Sequence, residues 1–248
     1  MRRLTSQQKP LLLGHRGHRL IEFDELENSM PAFDRALGSG CDGLELDLRV
    51  GPKGQVVICH DSCDRYETKK LARLGPVLRR YRKRAFLDLE IKEMGVVEEL
   101  VRLLQLHPPE RGFVVSSFDP AILRRVRTLA PSTPLCLNLR RPRTLRQLAG
   151  ADVEWIAPQQ ASCTAWYVRR LRRAGWRVLV WTVNHPVKMR RLARAGADAL
   201  VSDNPELLVK TLAGLCASGD TDDHRHRAHS TASGRVRRMV SQLRPRRR

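Results

Sequence analysis

Apolar segments with strand periodicity alternate with segments of helical spacing along most of the 248 residues. Strands are predicted at residues 11–14, 44–48, 86–91, 112–116, 135–139, 155–157, 177–183 and 199–202. Helices are predicted at residues 67–84, 96–106, 120–129, 144–148, 164–174 and 186–195, and a further helix follows Ser29. About eight strands alternating with helices predict an α/β fold of the (β/α)8 TIM-barrel type. A doubly wound open sheet is the alternative, but the turn at residues 14–17 lacks the glycine-rich phosphate loop typical of that fold.

Composition divides the chain into one large domain and a basic end. A hydrophobic content of 42% supports a globular core, so we predict a barrel domain over residues 1–215. Residues 216–248 are predicted to be a disordered tail, since nine arginines and no acid follow residue 224. The formal net charge of +20 requires an anionic partner: phosphate, nucleic acid or a lipid surface.

Cysteine usage and hydropathy indicate the compartment. None of the six cysteines forms a Cys-x-x-Cys pair, and the first ten residues lack an apolar signal core. No apolar run reaches the length of a membrane span. We therefore predict a reduced cytoplasmic protein. Residues 234–244 form a short basic amphipathic pattern, which adds peripheral contact of the tail with an anionic membrane as a second expectation.

The segment from residue 41 to residue 61 contains the first candidate site. Strand alternation places Glu45 and Asp47 on one face. The turn at residues 51–54 is too short for a crossover helix, so residues 56–60 should return as the antiparallel arm of a hairpin, with His60 roughly opposite Glu45. Two carboxylates beside an imidazole favour a bound divalent cation.

Chemically active residues recur where the predicted strands end. The strand at residues 86–91 carries another acidic face, because Asp88, Glu90 and Lys92 alternate with apolar residues. In a (β/α)8 barrel the carboxyl ends of all strands meet on one rim, where function resides. The residues expected on that rim are His15, Arg16, Glu45, Asp47, Glu90, Lys92, Phe118, Trp181 and Asn184.

Taken together, these residues resemble the glycerophosphodiester phosphodiesterase family. The matching motifs are Gly14-His15-Arg16-Gly17, Glu27-Asn28-Ser29, Asp42-Gly43-Leu44-Glu45-Leu46-Asp47, His60-Asp61, Glu90-Ile91-Lys92, Ser117-Phe118, Trp181-Thr182-Val183-Asn184 and Ser202-Asp203-Asn204-Pro205. The resemblance implies a metal-dependent barrel enzyme that hydrolyses glycerophosphodiesters to sn-glycerol 3-phosphate and an alcohol. The chain departs from the family in one respect: only residues 62–87 stand where members usually carry an inserted small domain, so the insertion is reduced.

Each candidate residue then has an expected role. Glu45, Asp47 and Glu90 offer only oxygen, which suits Mg²⁺ or Ca²⁺ as the divalent cation rather than zinc. His15 and His60 are expected to form the acid/base pair, and the resemblance implies the glycerol 2-hydroxyl as first nucleophile. The remaining expectations are phosphate binding by the catalytic cations Arg16 and Lys92 and a glycerol pocket walled by Phe118 and Trp181.

Two further polar residues receive structural roles. Asn28 is predicted to cap a helix or support the site, and Asp203 to serve a turn or cap.

Two other functions are considered. A lipid phosphodiesterase of lysophospholipase D type would share the same rim residues. A basic nucleic-acid-binding protein agrees with the net charge but does not explain three aligned carboxylates, which repel phosphates.

Overall fold

The computed structural model describes residues 9–19, 27–63 and 71–213, which form ten strands and eight α-helices. The strands are β1 (Leu11–His15), β2 (Gly43–Val50), β3 (Val56–Ile58), β4 (Ala72–Arg73), β5 (Phe86–Ile91), β6 (Phe113–Ser117), β7 (Leu135–Leu139), β8 (Trp155–Pro158), β9 (Arg177–Val180) and β10 (Ala199–Ser202). The helices are α1 (Met30–Gly38), α2 (Leu74–Tyr81), α3 (Val97–Leu106), α4 (Pro120–Leu129), α5 (Leu145–Leu148), α6 (Ala165–Arg173), α7 (Pro186–Arg194) and α8 (Pro205–Leu212).

Eight of the strands close into a parallel barrel. The order runs from β1 through β10, β9, β8, β7, β6 and β5 to β2, and β1 also pairs with β2. In the closing ladder Gly14 lies opposite Leu44 and His15 opposite Glu45. The predicted (β/α)8 barrel is therefore confirmed, with a helix between successive barrel strands that returns the chain to the start of the next one.

Both faces of the barrel strands are buried: the outer face packs against the helices, and the inner face packs inside the barrel. The larger apolar cluster joins outward-facing residues such as Leu46 and Leu89 to the helices. A smaller cluster fills the barrel interior and includes Leu13, Phe86 and Trp155. Since alternate residues of a strand point to opposite faces, the acidic residues of β2 and β5 face this interior.

The predicted hairpin is formed by β2 and β3. Strand β3 runs antiparallel to β2, and Leu48 pairs with Ile58. Continued by two residues, this register would place His60 opposite Leu46, one residue from the predicted partner Glu45. Strand β4 then pairs with β3 and widens the hairpin into a three-stranded extension of the barrel.

Two predicted boundaries need correction, and one helix was missed. The helix predicted at residues 67–84 begins only at Leu74, because Ala72 and Arg73 pair with the free edge of β3; residues 67–70 lie outside the described part. The strand predicted to continue to residue 183 ends at Val180. A helix over Pro205–Leu212, capped by the Asn204 side chain, was not predicted.

Other predicted features match the structure or fall outside it. Ser29 caps α1, whose first turn contains Pro31. Among the described residues no helix is long and apolar enough to cross a membrane. The predicted tail at 216–248, including the amphipathic pattern at 234–244, lies outside the described residues.

Candidate active site

Polar side chains close the barrel interior at the carboxyl ends of the strands. Below them the interior is apolar, and at this end it opens into a cleft with a volume of about 250 Å³. The residues that line the cleft are His15, Glu45, Asp88, Glu90, Asn138, Leu179, Trp181 and Val201. The position agrees with the location of active sites in (β/α)8 enzymes.

The three predicted metal ligands lie together. In the ladder between β2 and β5, Asp47 lies opposite Glu90, and Glu45 precedes Asp47 by one strand period. One carboxylate oxygen from each of the three residues lies within 4.8 Å of the others, and all three side chains are buried. A converging set of oxygen donors fits Mg²⁺ or Ca²⁺ and does not fit metals that prefer nitrogen or sulfur.

Two cations accompany these carboxylates: Arg16, which is buried, and Lys92, which is half-buried. Lys92 Nζ lies 2.7 Å from Asp47 Oδ1 and also contacts Glu90 Oε1. Arg16 Nε lies 3.1 Å from Asp47 Oδ2, in a charge contact whose direction does not meet hydrogen-bond geometry. The backbone N–H of Arg16 donates to Glu45 Oε2 at 3.1 Å. Both predicted phosphate-binding cations therefore lie directly beside the acidic cluster.

The acidic cluster contains more carboxyl groups than cations, and the pKa values of these groups reflect that imbalance. Burial raises the pKa of Glu45 well above its ordinary value, and the charges of Asp47 and Glu90 raise it further. Burial also raises the pKa of Asp88 to about 7, although Ser116 Oγ donates a hydrogen bond to it at 2.6 Å. Burial acts in the same direction on Asp47, but Lys92 and Arg16 outweigh it and lower that pKa. Among the described residues, Arg16 and Lys92 are the two cations that balance the four buried carboxyl groups, so the site favours an additional positive charge.

His15 is held by a carboxylate from the far end of the chain. Its Nδ1 lies 2.6 Å from Asp203 Oδ1, and its Nε2 lies 3.8 Å from Glu45 Oε2. Burial would raise the pKa of Asp203, but the hydrogen bond and charge of His15 lower it to about 2. The prediction that Asp203 serves a turn or cap is wrong: Asn204 caps α8, and Asp203 orients His15.

His60 has the same arrangement at the edge of the site. Its Nδ1 lies 2.8 Å from Asp61 Oδ1, and its side chain is more exposed than that of His15. Burial lowers the pKa of His60; Asp47 opposes this effect, and Arg16 adds to it. Because the charges of Asp47 and Arg16 act on His60, its imidazole lies within electrostatic reach of the acidic cluster. Both histidines thus pair Nδ1 with a carboxylate and leave Nε2 for another partner.

Asn28 supports the metal-ligand candidate Asp47. Its Nδ2 donates to Asp47 Oδ2 at 2.9 Å, and its own backbone has a positive φ of 59°. The cap of α1 is the neighbouring Ser29, so of the two roles predicted for Asn28 the supporting one is confirmed. Glu27, which was given no individual role, accepts a hydrogen bond from Arg16 at 2.8 Å.

The two aromatic candidates pack against each other. The rings of Phe118 and Trp181 meet edge to face with centroids 5.5 Å apart, and Trp181 lines the cleft. The Arg140 guanidinium lies 4.9 Å from the centroid of the Phe118 ring. Asn184, expected on the rim, donates to Asp203 Oδ2 and so acts on the carboxylate that holds His15.

Three interior residues of the site were given no role from the sequence. Asp88 and Ser116 form a buried hydrogen-bonded pair, and Asn138 lines the cleft. Each stands on the inward face of its strand, because it lies two positions along that strand from a residue of the smaller apolar cluster in the barrel interior. The available signal was this alternation: a polar residue on the inward face of a buried strand has to be paired or functional.

The turn after β1 requires both of its glycines. A Cβ on Gly14 would lie 2.5 Å from the carbonyl oxygen of Gly17. Gly17 has a φ of +83°, and a Cβ there would lie 2.7 Å from the backbone carbon of Ala32. This tight path gives Arg16 a positive φ of 54° and directs its N–H at Glu45.

Comparisons with known proteins agree with this geometry. The model of the glycerophosphoryl diester phosphodiesterase family matches residues 15–95 and 91–207. A glycerophosphodiester phosphodiesterase of Caldanaerobacter subterraneus is 25% identical in an alignment 242 residues long, which covers 81% of this chain and 97% of the relative.

Solved structures show the same fold. An Oleispira antarctica phosphodiesterase in complex with the product sn-glycerol-3-phosphate is 22% identical with a TM-score of 0.72, covering 83% of this chain and 97% of that one. A glycerophosphodiester phosphodiesterase of Thermotoga maritima is also 22% identical, with a TM-score of 0.68 and coverage of 82% and 98%. At this identity the structural likeness supports the barrel fold alone.

Proposed function

Because the chain belongs to the glycerophosphoryl diester phosphodiesterase family, we propose that its acidic cleft hydrolyses glycerophosphodiesters to sn-glycerol 3-phosphate and an alcohol. The observation that carries the proposal is the convergence of three carboxylates, within 4.8 Å of one another, beside His15. A phosphodiester is an anion, so carboxylates alone would repel it. The cluster makes chemical sense when positive charge covers it.

Glu45, Asp47 and Glu90 would hold a divalent cation, Mg²⁺ or Ca²⁺. When bound, the cation supplies Lewis-acid stabilisation to a phosphoryl oxygen. The chain itself contributes the position of the ligands: Asn28 fixes one oxygen of Asp47, and the Arg16 N–H fixes one oxygen of Glu45. These hydrogen bonds hold the carboxylates in place before substrate arrives.

The two histidines divide the proton transfers. Asp203, ionised above its pKa of about 2, holds His15 through Nδ1, which suits proton donation from the other ring nitrogen to the leaving alcohol. Burial favours the neutral form of His60 by lowering its pKa, which suits removal of a proton from the attacking oxygen. Trapping a glycerol cyclic phosphate would distinguish attack by the substrate 2-hydroxyl from attack by water.

Arg16 and Lys92 would bind the phosphate and stabilise charge in the transition state. Arg16 is buried and Lys92 half-buried, and both lie next to the cluster, so their charges act where little water screens them. Trp181 would form one wall of the glycerol pocket, with Phe118 packed against its ring. The reaction therefore uses residues from both sides of the barrel opening.

Turnover of glycerophosphocholine with Mg²⁺, with Ca²⁺ and with EDTA tests the metal requirement. We expect EDTA to abolish activity and one of the two ions to restore it. His15→Ala and His60→Ala should each lower kcat at least about a hundredfold, the usual contribution of general acid or base catalysis.

His107→Ala is the matched control, because His107 follows α3 at the opposite end of the barrel. It should retain wild-type turnover. Unchanged turnover in His15→Ala or His60→Ala, or full activity in EDTA, would reject the assignment of these residues.

Two further expectations belong to the proposal. Comparing glycerophosphocholine with its acylated form separates a glycerophosphodiesterase from an enzyme of lysophospholipase D type. A reducing cytoplasmic location is supported by the five described cysteines, all of which are buried free thiols.

A further inference from the structure

Basic residues are concentrated on one side of the barrel. Between residues 120 and 197 the sequence contains sixteen arginines and lysines but only two acids, Asp152 and Glu154. This segment forms α4 to α7 and the strands between them, so its charge lies on one contiguous sector of the molecule. The sector is independent of the basic tail, which begins after residue 215.

Part of this charge lies at the same end as the cleft. The loop that follows β7 contains Arg140, Arg141 and Arg143, and all three are exposed. Within the described part of the chain none of them forms an ion pair with a carboxylate. Because the loop leaves the carboxyl end of a barrel strand, these arginines stand on the catalytic rim.

Exposed apolar side chains stand beside the arginines. Trp166 and Val187 are 61% and 60% exposed, the largest values among the big apolar residues that the structure describes. Each is the second residue of its helix, α6 or α7, and these helices pack against each other. Side chains in a helix lean toward its N-terminus, which in this fold adjoins the catalytic rim.

Trp166 also has a cationic partner. The guanidinium of Arg170 lies 4.9 Å from the centroid of the Trp166 ring. An exposed aromatic ring with a cationic partner and an exposed apolar side chain, on a rim that also carries arginines, form the combination that lies at the boundary between lipid headgroups and acyl chains. We call the residues Arg141, Arg143, Trp166, Arg170 and Val187 the rim patch.

We propose that the rim patch docks the catalytic end of the barrel onto an anionic lipid bilayer. The arginines would pair with headgroup phosphates, while Trp166 and Val187 would enter the interfacial layer. A nucleic acid fits the arginines but gives Val187 no partner, since an aliphatic side chain projecting at a rim does not contact phosphates. The proposal concerns binding and holds whether or not the cleft hydrolyses the proposed substrate.

Binding of the full chain to lipid vesicles tests the proposed membrane docking. The wild-type protein should bind vesicles of equimolar phosphatidylglycerol and phosphatidylcholine far more tightly than vesicles of phosphatidylcholine alone. Since each basic residue near the surface contributes about fivefold, Arg141→Gln with Arg143→Gln should weaken binding about thirtyfold. Trp166→Ser with Val187→Ser should weaken it about tenfold through lost apolar burial.

Matched controls lie at the C-terminal ends of the helices, at the opposite end of the barrel. Arg173 and Arg194 are the exposed last residues of α6 and α7, and Leu106, 57% exposed, ends α3. Arg173→Gln with Arg194→Gln, and Leu106→Ser, should change vesicle binding less than about threefold, because screening limits charge effects at that distance. All variants should retain the far-UV spectrum and turnover of water-soluble substrate.

Tryptophan quenching locates the contact. Vesicles with brominated acyl chains should quench wild-type fluorescence, and Trp166→Phe should lose most of this quenching while it still binds. Equal losses in rim-patch and control variants, or no preference for anionic vesicles, would overturn the proposal. So would rim-patch variants that keep vesicle binding but lose binding to a duplex oligonucleotide, which would assign the surface to nucleic acid.

Discussion

At the scale of single residues, the site is organised by pairs of a histidine and a carboxylate. His15 pairs with Asp203, 188 positions away, whereas His60 pairs with its neighbour Asp61. A carboxylate on Nδ1 fixes the orientation and tautomer of an imidazole and stabilises its charged form. In the proposed reaction Asp203 would therefore be a positioning residue, which acts on the substrate through His15.

Replacing Asp203 tests this role. Asp203→Asn removes the charge beside the His15 imidazole, so kcat should fall about a hundredfold while KM changes less, and the pH profile of kcat should shift. Steady-state kinetics across pH measure both effects. Equal effects on KM and kcat, with an unshifted profile, would indicate a purely structural role.

The same carboxylate contributes to stability in a pH-dependent way. Its pKa is about 2 in the folded protein and about 4 in an unfolded chain, a difference that corresponds to about 3 kcal/mol. Because the folded pKa is depressed, this stabilisation is complete above about pH 5 and is lost as the pH falls through 4 toward 2. Urea unfolding should therefore show a gap between wild type and Asp203→Asn at pH 6 that narrows at pH 3. A gap independent of pH would contradict the ion-pair account.

At the scale of elements, the turn between β1 and α1 does most to shape the site. Gly14 and Gly17 let the chain pass against α1, and this path sets the position of His15, the last residue of β1. Arg16 and Asn28, the two described non-glycine residues with positive φ, both belong to this connection and both hydrogen-bond to carboxylates of β2. Such conformations cost free energy and persist where the surrounding contacts fix them.

Alanine substitutions at two glycines distinguish the cost of steric overlap from the cost of a positive φ. Gly17 and Gly40 both have positive φ, but a Cβ on Gly40 would meet only the Val209 side chain, at 3.4 Å, whereas one on Gly17 would overlap the Ala32 backbone. Gly40→Ala should cost about 1 kcal/mol of unfolding free energy and Gly17→Ala about 3 kcal/mol or more. Denaturant unfolding measures both values. Similar costs at the two positions would show that the close approach at Gly17 relaxes freely.

At the scale of the whole molecule, the barrel interior is rich in acidic groups, whereas the chain as a whole is strongly basic. The barrel interior holds four buried carboxyl groups with two cations, while the chain as a whole carries +20. The basic exterior attracts anions, and the excess of carboxyl groups in the interior favours a bound cation. Together they favour a phosphate-containing substrate that binds with a divalent ion.

Stability should therefore respond to divalent cations. Ligand at about one hundred times its dissociation constant adds about 2.7 kcal/mol, which in a chain of this size raises Tm by about 5–10 °C. Thermal unfolding with Mg²⁺, Ca²⁺ or EDTA measures the shift, which Glu45→Gln should abolish. Glu110→Gln, at an exposed carboxylate paired with Arg82, is the control and should keep it. A shift that persists in Glu45→Gln would place the ion elsewhere.

Local sequence patterns were enough to predict the barrel and most of its acidic centre. Apolar alternation is read within a few residues, and the parity of a strand already places Glu45 with Asp47, and Asp88 with Glu90, on common faces. Gathering three such carboxylates needs only that neighbouring parallel strands end together.

Contacts between distant parts of the chain were decided by tertiary structure. Asp203 reaches His15 only because closure sets β10 beside β1, and the strand Ala72–Arg73 forms only because β3 offers it a free edge. The rim patch likewise joins the loop after β7 to the first turns of two later helices. No local pattern contains these pairings, since they arise from the closed ring of hydrogen bonds that returns the last strand to the first.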